Sequence, residues 1–205
     1  YDELQTLKDN QKGIYDTIIG GSSINIITDS LARKYNKPNG DYYTVDDSLL
    51  TRVQSFSGHR DRVWSVFVSG DYLFTGSEDN TAKMWDISTG NEVRTFGSSP
   101  VYSVFVSGGM LFTGSYDKKA KMWDADPSSD NFGNEVRTFS GHSYPVESVF
   151  VSGDYLFTGS ADNTAKMWDT STGDVVRTFS GHSYSVLSVF VSGDYLFTGS
   201  ADNTA

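Results

Sequence analysis

The chain has only three histidines, and each follows a glycine: Gly58-His59, Gly141-His142 and Gly181-His182. Each is trailed, in the same register, by a threonine and an aspartate: Thr75 and Asp79, Thr158 and Asp162, Thr198 and Asp202. Hydroxyl, imidazole and carboxylate are the parts of a nucleophilic relay. In such a relay the imidazole takes the hydroxyl proton and the carboxylate orients the imidazole. Repetition argues against that chemistry here. A hydrolase needs one such set, and no oxyanion-stabilising element accompanies any of the three. A set that recurs with a repeated unit reads as scaffold.

Other chemistry is sparse. The insertion DADPSSDNFGNE places Asp124, Asp126, Ser128, Asp130 and Glu135 at positions 1, 3, 5, 7 and 12 of a calcium loop. Ser129 stands where such a loop needs its sharp-turn glycine, and no helices are expected on either side, so a solvated loop between strands is the reading adopted. There is no cysteine, which excludes disulfides and thiolate metal sites. No phosphate loop, zinc-ligand cluster or paired-histidine helix occurs, and no cofactor or metal is expected. A net charge of -10 argues against general binding to nucleic acid or anionic membrane. No apolar run approaches the ~20 residues needed to span a bilayer, and no signal peptide is visible. A cytoplasmic protein is expected, with the nucleus as the other compartment.

These residues are positioned by repeats. Arg137 to Ala165 and Arg177 to Ala205 differ only at Pro145 against Ser185 and Glu147 against Leu187. Upstream, VWSVFVSGDYLFTGSEDNTAKMWD ends at Asp86, VYSVFVSGGMLFTGSYDKKAKMWD ends at Asp124, and a third copy ends at Asp169. A period near ~40 residues, with Gly-His early and Trp-Asp late, resembles the WD-repeat family, whose repeats build β-propellers. The resemblance covers residues 52 to 205. It implies that His, Thr, Asp and Trp form a buried chain of hydrogen bonds: indole to hydroxyl, hydroxyl to imidazole, imidazole to carboxylate. The members would be His59, Thr75, Asp79 and Trp85, then His142, Thr158, Asp162 and Trp168, then His182, Thr198 and Asp202. The hydroxyl is open at this point, because Ser77 shares a face with Thr75 and Ser160 with Thr158. The second repeat has Ser98-Ser99-Pro100 in place of Gly-His, so Thr113, Asp117 and Trp123 lack an imidazole and that blade should be less well pinned.

The resemblance also says where a partner is read. In this family the third and fifth residues after the histidine, and the residue before the turn aspartate, project onto the narrow face of the propeller. Here these are Arg62, Trp64 and Glu78; Pro100, Tyr102 and Tyr116; Pro145, Glu147 and Ala161; and Ser185, Leu187 and Ala201. The copies diverge at these positions, and Trp, Tyr and Arg dominate interface energetics. The expected function is a protein-interaction scaffold or recruitment module binding a protein or peptide, not an enzyme. The short link SGDYLFTGS is similar to repeats of myosin heavy chain kinases and of TRAF-type WD-repeat ubiquitin ligases. That implies an alternative, the targeting domain of a kinase or ligase whose catalytic domain precedes Tyr1. No Trp-Asp pair is followed two residues later by Arg, which lowers a cullin-adaptor reading.

The expected fold is all-β, a partial propeller of about three and a half four-stranded blades with a short mixed N-terminal segment. In the third repeat the strands are read at Val146 to Val151, Tyr155 to Thr158, Ala165 to Trp168 and Val175 to Phe179. Val146 has the opposite parity from Val149 and Val151, which predicts a bulge near Glu147. Ser152-Gly153-Asp154 and Asp162-Asn163 supply tight turns. Arg52 to Phe56 reads as an isolated fourth strand, and Ala205 falls where earlier copies continue KMWD. The chain is therefore expected to be part of a longer protein whose downstream blades complete the ring. Residues 1 to 51 read as a linker or the tail of another domain, with helices at Tyr1 to Lys12 and Ile26 to Tyr35 and a strand at Tyr42 to Val45.

Overall fold

The computed structural model describes residues 55–97 and 99–205, and every regular element among them is a strand. The helices and strand expected before residue 51 lie outside the described residues, as does most of Arg52 to Phe56. Its last two residues, Ser55 and Phe56, are not in a strand. Ser57–Asp86 and Asn91–Ala205 form one compact unit that holds all the strands of the described residues.

The strands fall into consecutive antiparallel sheets. The first is β1 (Val63–Ser69), β2 (Tyr72–Ser77), β3 (Ala82–Asp86) and β4 (Glu92–Phe96), hydrogen-bonded in chain order. The second is β5 (Val101–Ser107), β6 (Met110–Ser115), β7 (Lys119–Asp124) and β8 (Glu135–Ser140). The third is β9 (Val146–Ser152), β10 (Tyr155–Ser160), β11 (Ala165–Asp169) and β12 (Val175–Phe179), and β13 (Val186–Ser192) pairs with β14 (Tyr195–Ser200) alone. Each first hairpin turns in two residues, as the facing pairs Ser69 with Tyr72 and Ser152 with Tyr155 require. Gly153 opens its turn at φ 56°, a conformation that costs a side chain but not glycine.

The core lies between sheets, not within them. Phe74, Met84 and Phe96 of the first sheet pack on Val101, Val104, Leu111 and Trp123 of the second. Phe112, Met122 and Phe139 pack in the same way on Val146, Val149 and Leu156, and Phe157 packs on Val186 and Val189. A sheet four strands wide cannot bury its faces alone, so each repeat is completed by its neighbour. The approach is close. A Cβ on Gly76, Gly114 or Gly159 would stand 2.7, 2.9 or 2.8 Å from a methyl of Val101, Val146 or Val186 in the next sheet.

Two further devices fix each junction. The serine of one first strand accepts a hydrogen bond from the next first strand: Val104 N to Ser65 Oγ, Val149 N to Ser103 Oγ and Val189 N to Ser148 Oγ, all 3.1 Å. Phe67, Phe105, Phe150 and Phe190 form a ladder with successive ring centroids 4.7, 4.8 and 4.8 Å apart. On the outer strands Arg94 lies over Phe132, and Arg137 donates to the Thr172 carbonyl at 2.7 Å.

Candidate functional site

The histidines sit in hydrogen-bond chains. Trp85 Nε1 donates to Thr75 Oγ1 at 2.8 Å, Thr75 Oγ1 lies 2.7 Å from His59 Nε2, and His59 Nδ1 lies 2.8 Å from Asp79 Oδ2. In the third sheet Trp168, Thr158, His142 and Asp162 repeat this at 2.8, 2.7 and 2.7 Å. His182 reaches Thr198 at 2.8 Å and Asp202 at 2.9 Å. A threonine oxygen that accepts from the indole still has its own hydrogen to give, and burial of His142 selects the arrangement in which Thr158 donates to Nε2 of a neutral imidazole and Nδ1 donates to the Asp162 carboxylate.

The threonine, not the neighbouring serine, is therefore the hub. Ser77 and Ser160 bind the turns instead, donating to the carbonyls of Asp61 and Tyr144 and accepting from the amides of Asp79 and Asp162. Parity put both hydroxyls on one face, and only the position of the next strand's indole separates them.

The charges are fixed by this packing. Burial would raise the Asp79 carboxyl, but donation from Thr81, from the Arg60 backbone and from His59 outweighs it and holds the group far below the carboxylate range. Asp162 is lowered in the same way: burial opposes, and Thr164, His142 and the Ser143 backbone prevail. Burial lowers His142 below its ordinary value, with Asp162 opposing. A neutral imidazole is what the chain of donors requires. In the first and third sheets the hydroxyl is held between indole and imidazole.

In the second sheet Trp123 Nε1 still donates to Thr113 Oγ1, at 3.1 Å, but Asp117 accepts from Ser115 Oγ at 2.6 Å. A cavity of about 10 Å³ remains, lined by Thr113, Ser115, Asp117, Lys121 and Trp123. It is bordered by the two groups that an imidazole bridges in the other repeats. In the Asp124 to Glu135 loop, Asp124 accepts from Asp126 N and Ser129 Oγ, and Asp126 from Ser128. Its carboxylates close turns, and no cluster able to hold a metal occurs among the described residues.

The divergent residues come together by a repeated local geometry. Each first strand carries a bulge, at Trp64, Tyr102, Glu147 and Leu187. The bulge at Glu147 is the one that parity predicts. A bulged residue escapes the ladder and is turned away from the sheet face. One backbone bond then joins the other two positions of each set: Glu78 N to the Arg62 carbonyl, Tyr116 N to Pro100, Ala161 N to Pro145 and Ala201 N to Ser185, at 2.9, 3.0, 3.0 and 3.0 Å.

Neighbouring sets touch. Trp64 meets Tyr102 edge-to-face at 6.2 Å, and Tyr102 meets Tyr116 at 6.5 Å. Trp64 Nε1 donates to Glu78 Oε2 at 2.7 Å, and Arg62 lies 5.9 Å from the Trp64 ring centroid. Trp64, Tyr116 and Leu187 are exposed at 51%, 58% and 52%. Burial raises the Tyr102 phenol, and the Glu78 and Glu147 carboxylates raise it further. Burial also raises Glu147.

Comparison with known proteins follows the same lines. The computationally designed Ika4 protein has a TM-score of 0.66 to this chain at 28% identity, covering 73% of this chain and 92% of that one. The WD40 β-propeller domain of Doa1 has a TM-score of 0.65 at 23% identity, covering 72% and 51%. At that identity the likeness speaks to the fold alone. The kinesin-like protein klp-12 of Caenorhabditis elegans is 36% identical over 74 residues, 34% of this chain and 5% of the relative. The probable E3 ubiquitin ligase complex SCF subunit sconB of Penicillium rubens is 46% identical over 43 residues, 21% and 6%. This chain thus spans a small part of the length of either relative. The family model described as WD domain, G-beta repeat matches residues 50–86, 90–124, 133–169 and 173–205. With more than half its length matched and consecutive four-stranded sheets in the described residues, the chain belongs to the WD-repeat β-propeller family.

Proposed function

We propose that this chain is a protein-docking module and that it reads its partner with the bulged residues Trp64, Tyr102, Glu147 and Leu187. Arg62, Glu78, Pro100, Tyr116 and Pro145 flank them. WD-repeat propellers are generally interaction domains, and the partner class is a protein or peptide. The observation that carries the reading is the bulge. One backbone device, repeated in every sheet, presents four different side chains, whereas the packing residues around it are nearly invariant from repeat to repeat. Aromatic side chains that are half exposed and held by neighbours lose little entropy on binding and make good anchors. The Thr-His-Asp sets belong to the scaffold, and the reading assigns no reaction to the chain.

The test is a paired measurement on point variants. Trp64→Ala and Tyr102→Ala should keep the thermal melt within a few degrees and weaken capture of the partner by about 2 kcal/mol or more if either is an anchor. His142→Ala should lower the melt. If Trp64→Ala unfolds the chain while His142→Ala leaves stability intact, the roles are reversed and the reading fails. A second reading, recruitment of substrates to a ubiquitin ligase, draws on the printed description of the Penicillium relative. A RING or kinase signature in sequence upstream of Tyr1 would favour it.

A further inference from the structure

We infer that the surface between Tyr102, Tyr116 and Glu147 receives a cationic side chain, arginine or lysine, from the docked protein. The inference rests on the docking reading above and names the chemistry that reading leaves open.

The geometry begins with the rings. Trp64, Tyr102 and Tyr116 contact one another edge-to-face, at interplanar angles of 90° and 87°. Each edge-to-face contact sets the edge of one ring against one face of the other, so the two contacts use two of the six faces of these three rings, and a remaining face, where the π-electron density lies, can take another group. A cation is the group such a face attracts. The same rim already makes this contact with its own side chains: Arg62 lies over Trp64, and Lys118 Nζ lies 5.7 Å from the Tyr144 ring centroid.

The carboxylates supply the second observation. Glu78 and Glu147 both act on the Tyr102 phenol, so two negative groups from different repeats converge on one ring. Glu78 is engaged by the Trp64 indole. Glu147 is half-buried, and it forms no ion pair among the described residues. The contrast with Glu92 and Glu135 is direct, for these are held by Lys83 at 2.6 Å and Lys121 at 2.8 Å. A partly desolvated carboxylate without a cation is costly to keep ionised, and an incoming cation would relieve that cost. The near-identical later repeat carries Leu187 at this position and so shows that the fold does not need the charge. The net charge of -10 favours approach of a basic segment.

The experiment titrates the 205-residue chain with N-acetyl-arginine amide, its neutral isostere N-acetyl-citrulline amide, and N-acetyl-glutamate amide. It follows the ring resonances of Trp64, Tyr102 and Tyr116 by NMR. The arginine compound should shift them saturably, and the other two should not. Glu147→Gln should weaken the arginine response about threefold or more. Asp194→Asn, an equal change of charge in the two-residue turn at the far end of β13, should leave it unchanged. Equal response to citrulline, no effect of Glu147→Gln, or an equal effect of Asp194→Asn would each overturn the inference. An array of random twelve-residue peptides separates this failure from failure of the docking reading. Binders rich in arginine or lysine that Glu147→Gln releases support the cation. Binders without basic residues that Trp64→Ala releases keep the docking surface and overturn the cation. Binders indifferent to Trp64→Ala overturn both.

Discussion

Thr158 shows how much one hydroxyl carries. It is fully buried, accepts from the Trp168 indole and donates to His142. Thr158→Ala leaves an indole N–H and an imidazole nitrogen buried without partners, and should cost about 2–4 kcal/mol in urea unfolding. Thr158→Ser keeps the hydroxyl and should cost much less. Thr113→Ala strands only the Trp123 indole, since no imidazole stands beside it, and should cost about 1–2 kcal/mol. Equal losses at the two threonines would show that the imidazole adds nothing to the hub.

The same chain of bonds gives the fold an acid dependence in two stages. His142 has a lower pKa folded than unfolded, so the unfolded chain takes up a proton first as pH falls through about 6.5. Stability from this residue is complete above that pH and is lost below it. Asp79 and Asp162 are also lowered on folding, so their contribution is complete above about 4 and is lost as pH falls further. Melting temperature against pH should show a shallow first decline that His142→Gln removes and a steeper second one that it does not. A flat profile from pH 7 to 5 in the parent chain would contradict the neutral imidazole.

At the scale of elements, much was legible because the turn and strand signals are local. Val175–Phe179 has the bounds read from sequence, and the bulge at Glu147 follows from the parity of three valines. The second strand runs to Ser160, beyond the Thr158 expected, because Gly159 pairs with Ser148 and Ser160 pairs with Val146 past the bulge. What stayed hidden depends on how one sheet meets the next. Nothing in VWSVFVS says that Ser65 will accept from Val104, or that Phe67 begins a ladder. The Arg94 and Arg137 contacts were missed for the same reason, although an arginine and a glycine at matching positions in each repeat were a signal. The set of bulged residues was legible only through resemblance; their mutual contacts were not. Lys118 marks another local exception. It occupies the left-handed turn position at φ 70°, where the other repeats have Asn80, Asn163 and Asn203. Asparagine tolerates that conformation and lysine pays for it. Lys118→Asn should therefore raise stability by about 0.5–1 kcal/mol, less whatever its contact with Tyr144 contributes. A lower urea midpoint in that variant would mean the ring contact outweighs the backbone strain.

At the scale of the whole unit, stability is shared between neighbours rather than held in one core. Each apolar cluster joins two consecutive sheets, so among the described residues a middle sheet is supported from both sides and the first from one. The phenylalanine ladder tests this directly, because the same residue type occupies each rung. Among the described residues Phe150 stacks on both Phe105 and Phe190, whereas Phe67 stacks on Phe105 alone. Phe150→Ala should then cost about 2–4 kcal/mol, and Phe67→Ala about half as much. Amide exchange should report where the loss goes. With Phe150→Ala, protection should fall in β9 and in the facing strands β5 and β13, while β1 to β3 change least. With Phe67→Ala the loss should stay in β1 and β5. A uniform loss across every strand in both variants would describe a single cooperative core and would contradict nearest-neighbour support. The distinction bears on docking, since Trp64, Tyr102 and Glu147 come from three successive sheets. If support passes only between neighbours, weakening one junction misaligns that surface without unfolding the rest, and a junction variant such as Gly114→Ala should weaken capture of a partner well before it abolishes the fold.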